Sequence, residues 1–543
     1  MPIRMTDDPQ DQDQEYNNNN DDDRGNSGGG GGGGGLFQLL PLLLGLFRGR
    51  GLILLLVIIA GGYFFLGRGS CNSGGGGTNN IIQQVGKLAT GGFLDPRQFE
   101  KASIYEPLTD DNSKNPLPES ANLQRFAPAV GNQGQQGSCV AWGSAYGARS
   151  ILESARTGQP GDEVKFSPSF LYNQIGMEGC QGSYIIKAME FMTQNGAVPY
   201  NEFPYSDKDC SRQPNNQLMQ EAAQYKMRGF NRLSLGDRND KIDLNAVRQN
   251  LSQGAPVVIG MMVGGTYMQP MLGKDLWEPT DDDRRQLGFG GHAQCVVGYD
   301  DKKYGGAFLI MNSWGPEWGN NGFAWVRYRD FYYFVREAYG LEPMQKVGAA
   351  ANQPFAGEIG LVTVEYDASQ RKTVAKGYIT LRNAGGNRFE TVSPIKMHSK
   401  FKMEIKNSTE SYIYVFGKET DGTSYTLFPY PRADDPTKTK YAPFCGITGY
   451  RLFPKDKSMT PDSIGTRDMI AVVVSKKPLD WYKLNQQISA QPQSDYAERL
   501  NAALRSQLIK NVRFQATGKG TMQFDTSGDE NEVVACIVEI DKN

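Results

Sequence analysis

Residues 131–143 read GNQGQQGSCVAWG and set a lone cysteine, Cys139, between a turn of Gly and Gln and a segment of helical spacing. Ala141, Ala145, Ala148 and Leu152 recur at helical intervals, Ser138 stands at the N-cap position, and Gly158 and Pro160 supply the stop. Cys139 is therefore expected in a first helical turn, where free N–H groups and the dipole favour an anion and draw the thiol below its ordinary value of about 8.5. A lone cysteine opening an apolar helix is also a common core residue. Only a base and a donor for the developing charge would make it a nucleophile.

The chain holds two histidines. His398 lies in IKMHSKFKMEI, an alternating run expected to be a strand with the imidazole facing solvent. His292 lies in GFGGHAQCVVGYDD, where HAQCVVGY reads as a strand buried on at least one face and entered through glycines that permit close backbone approach. The following stretch, FLIMNSWGPEWGNNGFAWV, runs from an apolar strand into Asn312, Ser313, Trp314 and Gly315, then Trp318 and a further strand. A polar amide beside an indole at a strand end can fix one imidazole nitrogen and shield that bond from water. Cys139 precedes His292 by 153 residues, and Asn312 follows by 20. Both spacings fall close to a Cys, His, Asn order with the latter two about 130 to 150 residues downstream.

With these blocks in order, the chain resembles the papain-like cysteine peptidases over roughly residues 116 to 348. NQGQQGSCVAW is similar to the family's Gln and Gly-Ser-Cys block, GCQGSY at 179–184 to its Gly-Cys turn, and GGHAQCVVGYDD and NSWGPEWGNNGF to its His and Asn blocks. The resemblance implies an α+β, two-lobed papain-like fold, helical on the left and β-rich on the right, with the site in the cleft between the lobes. It implies Cys139 as nucleophile, His292 as base, Asn312 as the orienter of His292, and Gln133 as a side-chain donor to the oxyanion. Gly182 and Ser183 would make backbone contacts to substrate, Tyr184, Gly290 and Ala293 would line the walls, and Trp314 would cover the Asn and His contact. The small residues at 290 and 291 suggest an open apolar pocket without a charged selector. The implied reaction is peptide-bond hydrolysis through a thioester, with protein or peptide substrates and no cofactor or metal. A transpeptidase or amidase using the same thioester, and a catalytically idle scaffold, are the alternatives.

Two departures from the family stand out. The position three residues before the nucleophile, a cysteine in the family, is Gln136, so Cys180 lacks its usual partner; Cys210 in FPYSDKDC is similarly orphaned, which suggests a Cys180–Cys210 bridge and an oxidising compartment. The stretch upstream of the domain is too short and Gly-rich for the family's usual helical propeptide, so latency is expected to come from elsewhere. Cys295, alternating within a strand, reads as core.

The rest of the 543-residue chain divides by composition. A net charge of -2 gives no basic field for nucleic acid. Residues 1–35, with Asp, Asn and Gly runs, are expected to be a disordered tail. Residues 36–68 form an apolar anchor, with a single N-terminal transmembrane helix at about 51–67, and Arg48 and Arg50 before it against Arg68 after it favour a cytoplasmic N-terminus and an exported peptidase. Residues 69–115 read as a flexible linker, with a short helix around IIQQVGKLA, and 116–349 as the peptidase domain. Residues 350–543 are expected to be a mainly-β accessory domain with one helix at DYAERLNAALRSQL, resembling an uncharacterised bacterial module appended to peptidases and kinases. Its Cys445 and Cys536 could be core or paired, and no metal-ligand spacing occurs in the chain.

Overall fold

The helix that opens at Cys139 runs as three joined stretches, Cys139–Ala141, Trp142–Arg149 and Ser150–Thr157, and ends where Gly158 takes a left-handed φ of 76°. Its middle stretch is π-wound, and residues 138–154 are buried throughout. Small residues allow that burial: a Cβ at Gly143 would lie 3.2 Å from the backbone of Gln294, and one at Gly147 would lie 3.1 Å from Cys295 Cβ. The helix thus lies directly on the strand that carries His292. Pro168–Ile175, capped by Ser167, and Ile185–Gln194 pack beside it to complete a helical lobe.

The computed structural model describes residues 3–8, 91–108, 114–236, 240–348, 355–369, 372–455, 457–526 and 531–543. Facing the helical lobe is a sheet in the order Phe230–Arg232, Val335–Leu341, Val257–Val263, Gly290–Asp300, Ala307–Met311, Phe323–Arg327 and Leu276–Trp277, with Ser120–Asn122 added against Gly290–Asp300. One hydrophobic core joins this sheet to the helices, and Cys139, Cys295 and Trp314 belong to it. The expected two-lobed α+β architecture is present, and Cys295 is fully buried.

The C-terminal region is built on two sheets. One contains Ala356–Asp367, Phe401–Asn407, Lys457–Pro461 and Met522–Thr526; the other contains Ser411–Lys418, Arg467–Ser475 and Val533–Asp541. Alternate residues of both sheets share a core that includes Cys445 and Cys536, both free thiols. Two helices rather than one cover the outer face: Tyr496–Leu504, as the sequence suggests, and Trp481–Ala490, capped by Asp480. His398 is exposed, as expected, but sits in a turn at φ 66° because the strand begins only at Phe401.

Two upstream expectations change. Residues 3–8, placed in a disordered tail, include the strand Ile3–Asp7, which pairs antiparallel with Lys457–Pro461; Ile3 is buried and Lys402 Nζ reaches Asp8 Oδ2 at 2.7 Å. Residues 91–108, placed in a flexible linker, are packed against both the two-lobed domain and the C-terminal region. The expected transmembrane helix at 51–67 and the helix at IIQQVGKLA lie outside the described residues, and among the described residues no helix is long and apolar enough to cross a membrane.

Candidate active site

Cys139 and His292 come from opposite lobes, one from the start of the central helix and the other from the strand Gly290–Asp300. Both are fully buried, and the contact between lobes is tight: Ala293 N donates to Cys139 Sγ at 3.5 Å. His292 Nε2 lies 2.8 Å from Asn312 Oδ1, while its Nδ1 has no hydrogen-bond partner. The Trp314 indole stacks on the imidazole at 4.4 Å between centroids, 21° from parallel, and closes the Asn and His contact from one side. Trp318 meets Trp314 edge-on at 5.8 Å and donates to Tyr267 O at 2.9 Å, which fixes the indole pair.

Gln133 is fully buried and held at both ends of its carboxamide. Its Nε2 donates to Gln136 O at 3.0 Å, and its Oε1 accepts from Ser313 Oγ at 2.7 Å. A carboxamide nitrogen carries two hydrogens, so one N–H remains to serve another acceptor. Ser138 occupies the N-cap position but makes no side-chain cap; its hydroxyl instead pairs with Tyr205 OH at 2.7 Å, and that phenol also donates to Gln133 O at 2.7 Å. Gln136, where the resemblance leads one to expect a cysteine, reaches Ser206 O at 3.4 Å. The orphaned pair does bridge: Cys180 and Cys210 form a disulfide with Cα atoms 6.0 Å apart.

Protonation in this closed arrangement runs against the expectation of an easily ionised thiol. Burial pushes the Cys139 thiol up to about 12, although the N–H groups of Ala293, Val140 and Cys139 pull it down. Burial likewise brings His292 down to about 4, with the Asn312 hydrogen bond opposing. The first-turn dipole is present, but removal from water outweighs it.

The reason for that burial includes residues 91–95, which lie in the cleft. Gly92 N donates to Gly291 O, Phe93 N donates to Ser183 O and Ser183 N donates to Gly91 O, each at 3.0 Å. At Gly91 a Cβ would fall 2.7 Å from Gly137 O, so only glycine allows this approach to the turn before Cys139. Phe93 meets the Tyr184 ring at 5.8 Å. Such backbone bonds contribute about 0.5–1.5 kcal/mol each, and the half-buried Leu94 adds part of the about 1.5–3 kcal/mol of a fully buried leucine, so this segment competes for the cleft. The sequence leads one to expect latency from outside the upstream stretch, yet a few extended residues of that stretch lie in the cleft.

Of the expected wall residues, Ser183 carries the backbone pairing, Gly182 lies under Gly91 and Phe93, Tyr184 flanks Phe93, and Ala293 touches the thiol. Gly290 pairs with Val263 within the sheet, and its neighbour Gly291 makes the cleft contact. The pocket wall includes one buried titratable group. A Cβ built on Gly260 would meet Leu94, Ile185 and Glu337 together, which places Leu94 beside a buried carboxyl. Glu337 accepts from Asp95 N at 3.0 Å and from Tyr339 OH at 3.3 Å, and burial raises its carboxyl to about 8. The sequence signal was slight: one acid at 337 inside the otherwise apolar end of FVREAYGL. Among the described residues no group of three or more His, Cys, Asp or Glu is disposed to hold a metal.

The family model for the papain family cysteine protease matches residues 117–339. Cathepsin K of Mus musculus is 28% identical over 247 residues, covering 45% of this chain and 68% of its own. Cathepsin L2 of Homo sapiens is 28% identical over 243 residues, covering 42% of this chain and 64% of its own. The match thus spans about two thirds of each relative. Among solved structures, xylellain, a cysteine protease from Xylella fastidiosa, aligns at 25% identity over 48% of this chain and 97% of its own, with a TM-score of 0.39. Residues 117–339 thus form a papain-family cysteine protease domain.

Proposed function

We propose that the chain is a cysteine endopeptidase whose chemistry runs through Cys139, His292, Asn312 and Gln133. The observation that carries this is the division of labour on one imidazole: Nε2 is committed to Asn312, and Nδ1 is left without a partner in the site where Ala293 N meets the Cys139 sulfur. Proton transfer from thiol to Nδ1 yields a thiolate and an imidazolium. The thiolate adds to the scissile carbonyl, and the oxyanion is met by the free N–H of Gln133 and the backbone N–H of Cys139. Collapse breaks the C–N bond, the imidazolium protonates the leaving amine, and a thioester remains. Water, deprotonated by the imidazole, then cleaves the thioester and restores the thiol.

Substrate must first displace residues 91–95. The position of Leu94 supports a non-prime pocket for a leucine-sized side chain, with Glu337 available to a basic group once ionised. The Cys180–Cys210 bridge supports residence outside a reducing cytosol. We infer that residues 3–8 lie on the same side as the C-terminal sheet they join.

Peptide-library cleavage by the full chain carrying Leu94→Asp tests the proposal. The expected result is hydrolysis that is lost in Leu94→Asp combined with Cys139→Ser. Hydrolysis that persists in the double variant would overturn it, and transfer of the acyl group to added amine in preference to water would identify a transpeptidase.

A further inference from the structure

The segment that enters the cleft does not end there. After Leu94 the chain forms the short helix Pro96–Phe99, whose Phe99 is buried against Tyr339 with ring centroids 5.2 Å apart, and then runs out to the C-terminal domain. At Ile104 it is stitched on both sides. Ile104 N donates to Lys440 O and Ala442 N donates to Ile104 O, each at 2.8 Å, while Arg232 N donates to Ser103 O and Tyr105 N to Arg232 O, each at 2.9 Å. The Ile104 side chain is fully buried in the core of the C-terminal domain, whereas Phe99, Ala102 and Tyr105 belong to the peptidase core. Arg432 adds a bond from its guanidinium to Glu100 O at 2.8 Å.

We propose that the C-terminal domain is a latch: by gripping residues 100–105 it holds residues 91–95 in the cleft and keeps the protease latent. This regulation rests on the catalytic reading of the cleft given above. The grip in the cleft itself consists of the three backbone bonds, the Asp95 N–Glu337 bond, the Phe93–Tyr184 ring contact and a half-buried leucine side chain, with glycines at 91 and 92 that prefer no particular conformation. A free peptide of that kind would bind weakly. Anchored ten residues away, it is presented at a high effective concentration and rebinds after each excursion. Because the anchor lies on the C-terminal side of the blocking residues, cutting the chain before residue 91 leaves the block in place. Release requires the contact at Ile104 and Tyr441 to loosen, so a ligand or strain acting on the 430–442 loop of the C-terminal domain governs access to Cys139.

The test compares the full chain with Ile104→Ala, Arg432→Ala and Leu94→Asp, reading hydrogen exchange at the Gly92 and Phe93 amides and, separately, peptide hydrolysis. Loss of the buried Ile104 contact should speed exchange about tenfold or more, and loss of the Arg432 bond about threefold, with hydrolysis rising in step. Arg432 is partly exposed and lies outside the C-terminal core, so its variant retains the fold even where Ile104→Ala disturbs that core. Unchanged exchange in both latch variants, while Leu94→Asp speeds it, overturns the latch. Faster exchange in the latch variants with no hydrolysis in any variant, Leu94→Asp included, upholds the latch and overturns the catalytic reading.

Discussion

His292 Nε2 stands 2.8 Å from Asn312 Oδ1 beneath the stacked Trp314 indole, in a pocket from which water is excluded. That single bond fixes both the tautomer and the plane of the ring. Asn312→Ala leaves the imidazole free to rotate, and losing one such buried bond costs about 1–3 kcal/mol, or roughly 10- to 100-fold in rate. In an opened variant, kcat should fall by that factor with little change in KM, as steady-state kinetics on a short peptide would show.

Gln133 is clamped by Gln136 O and Ser313 Oγ, so its remaining N–H is fixed in direction before substrate arrives. Gln133→Ala should lower kcat on the order of 10²- to 10³-fold. Ser313→Ala, which frees the amide to turn without removing it, should give a smaller loss in kcat and a lowered thermal midpoint, because it strands the buried Gln133 Oε1. Equal losses in the two variants would show that Gln133 acts only as packing.

Glu337 has its carboxyl raised to about 8 by burial, above the ordinary value of 4.5. A group raised on folding contributes stability that is fully present below its unfolded value and is lost as pH climbs through the folded one. Wild type should therefore lose stability relative to Glu337→Gln between about pH 4.5 and 8, by a few kcal/mol at the upper end. Denaturant midpoints of the two proteins across that range measure the difference; parallel curves would contradict the assignment.

The Cys180–Cys210 bridge closes a loop across a sequence separation of 30 and replaces the pairing that Gln136 cannot make. Alkylation of the denatured chain should leave Cys180 and Cys210 unlabelled before reduction and labelled after it. The Cys180→Ser, Cys210→Ser double variant should be less stable by about 2–4 kcal/mol, seen as a lowered thermal midpoint.

The parts of the site that could be read from sequence are those whose chemistry is carried by uncommon residues in fixed local settings. Cys139 after a Gly-rich turn, one of two histidines, and an Asn beside a Trp give few ways to be combined, and the structure brings them together. The β-rich character of residues 355–543 followed from alternation, which is local. What escaped were contacts made by ordinary residues at long range. GGFLD carries no periodicity, and its seat in the cleft depends on the absence of side chains at 91 and 92 and on an anchor at Ile104 that only the folded C-terminal domain supplies. IRMTD near the start is too short to announce a strand, yet its partner lies more than 440 residues away. Glu337 carries no local signal of its role, because only the strand order turns it inward beside Gly260.

The same long-range burial explains why the sequence-based expectation for the thiol failed in sign. A helix start lowers a thiol that water can reach, but Cys139 and His292 are fully enclosed while residues 91–95 are in place. Iodoacetamide should therefore modify Cys139 slowly in the full chain at neutral pH and much faster once Leu94→Asp opens the cleft.

The central claim is that Cys139 carries the acyl group. The direct measurement is mass spectrometry of Leu94→Asp quenched in acid during turnover of a peptide ester, with the modified residue located by fragmentation. The account predicts the acyl mass on Cys139, its absence in Cys139→Ala, and its slower formation in His292→Ala. Acylation at another residue, or undiminished turnover in Cys139→Ala, would contradict it.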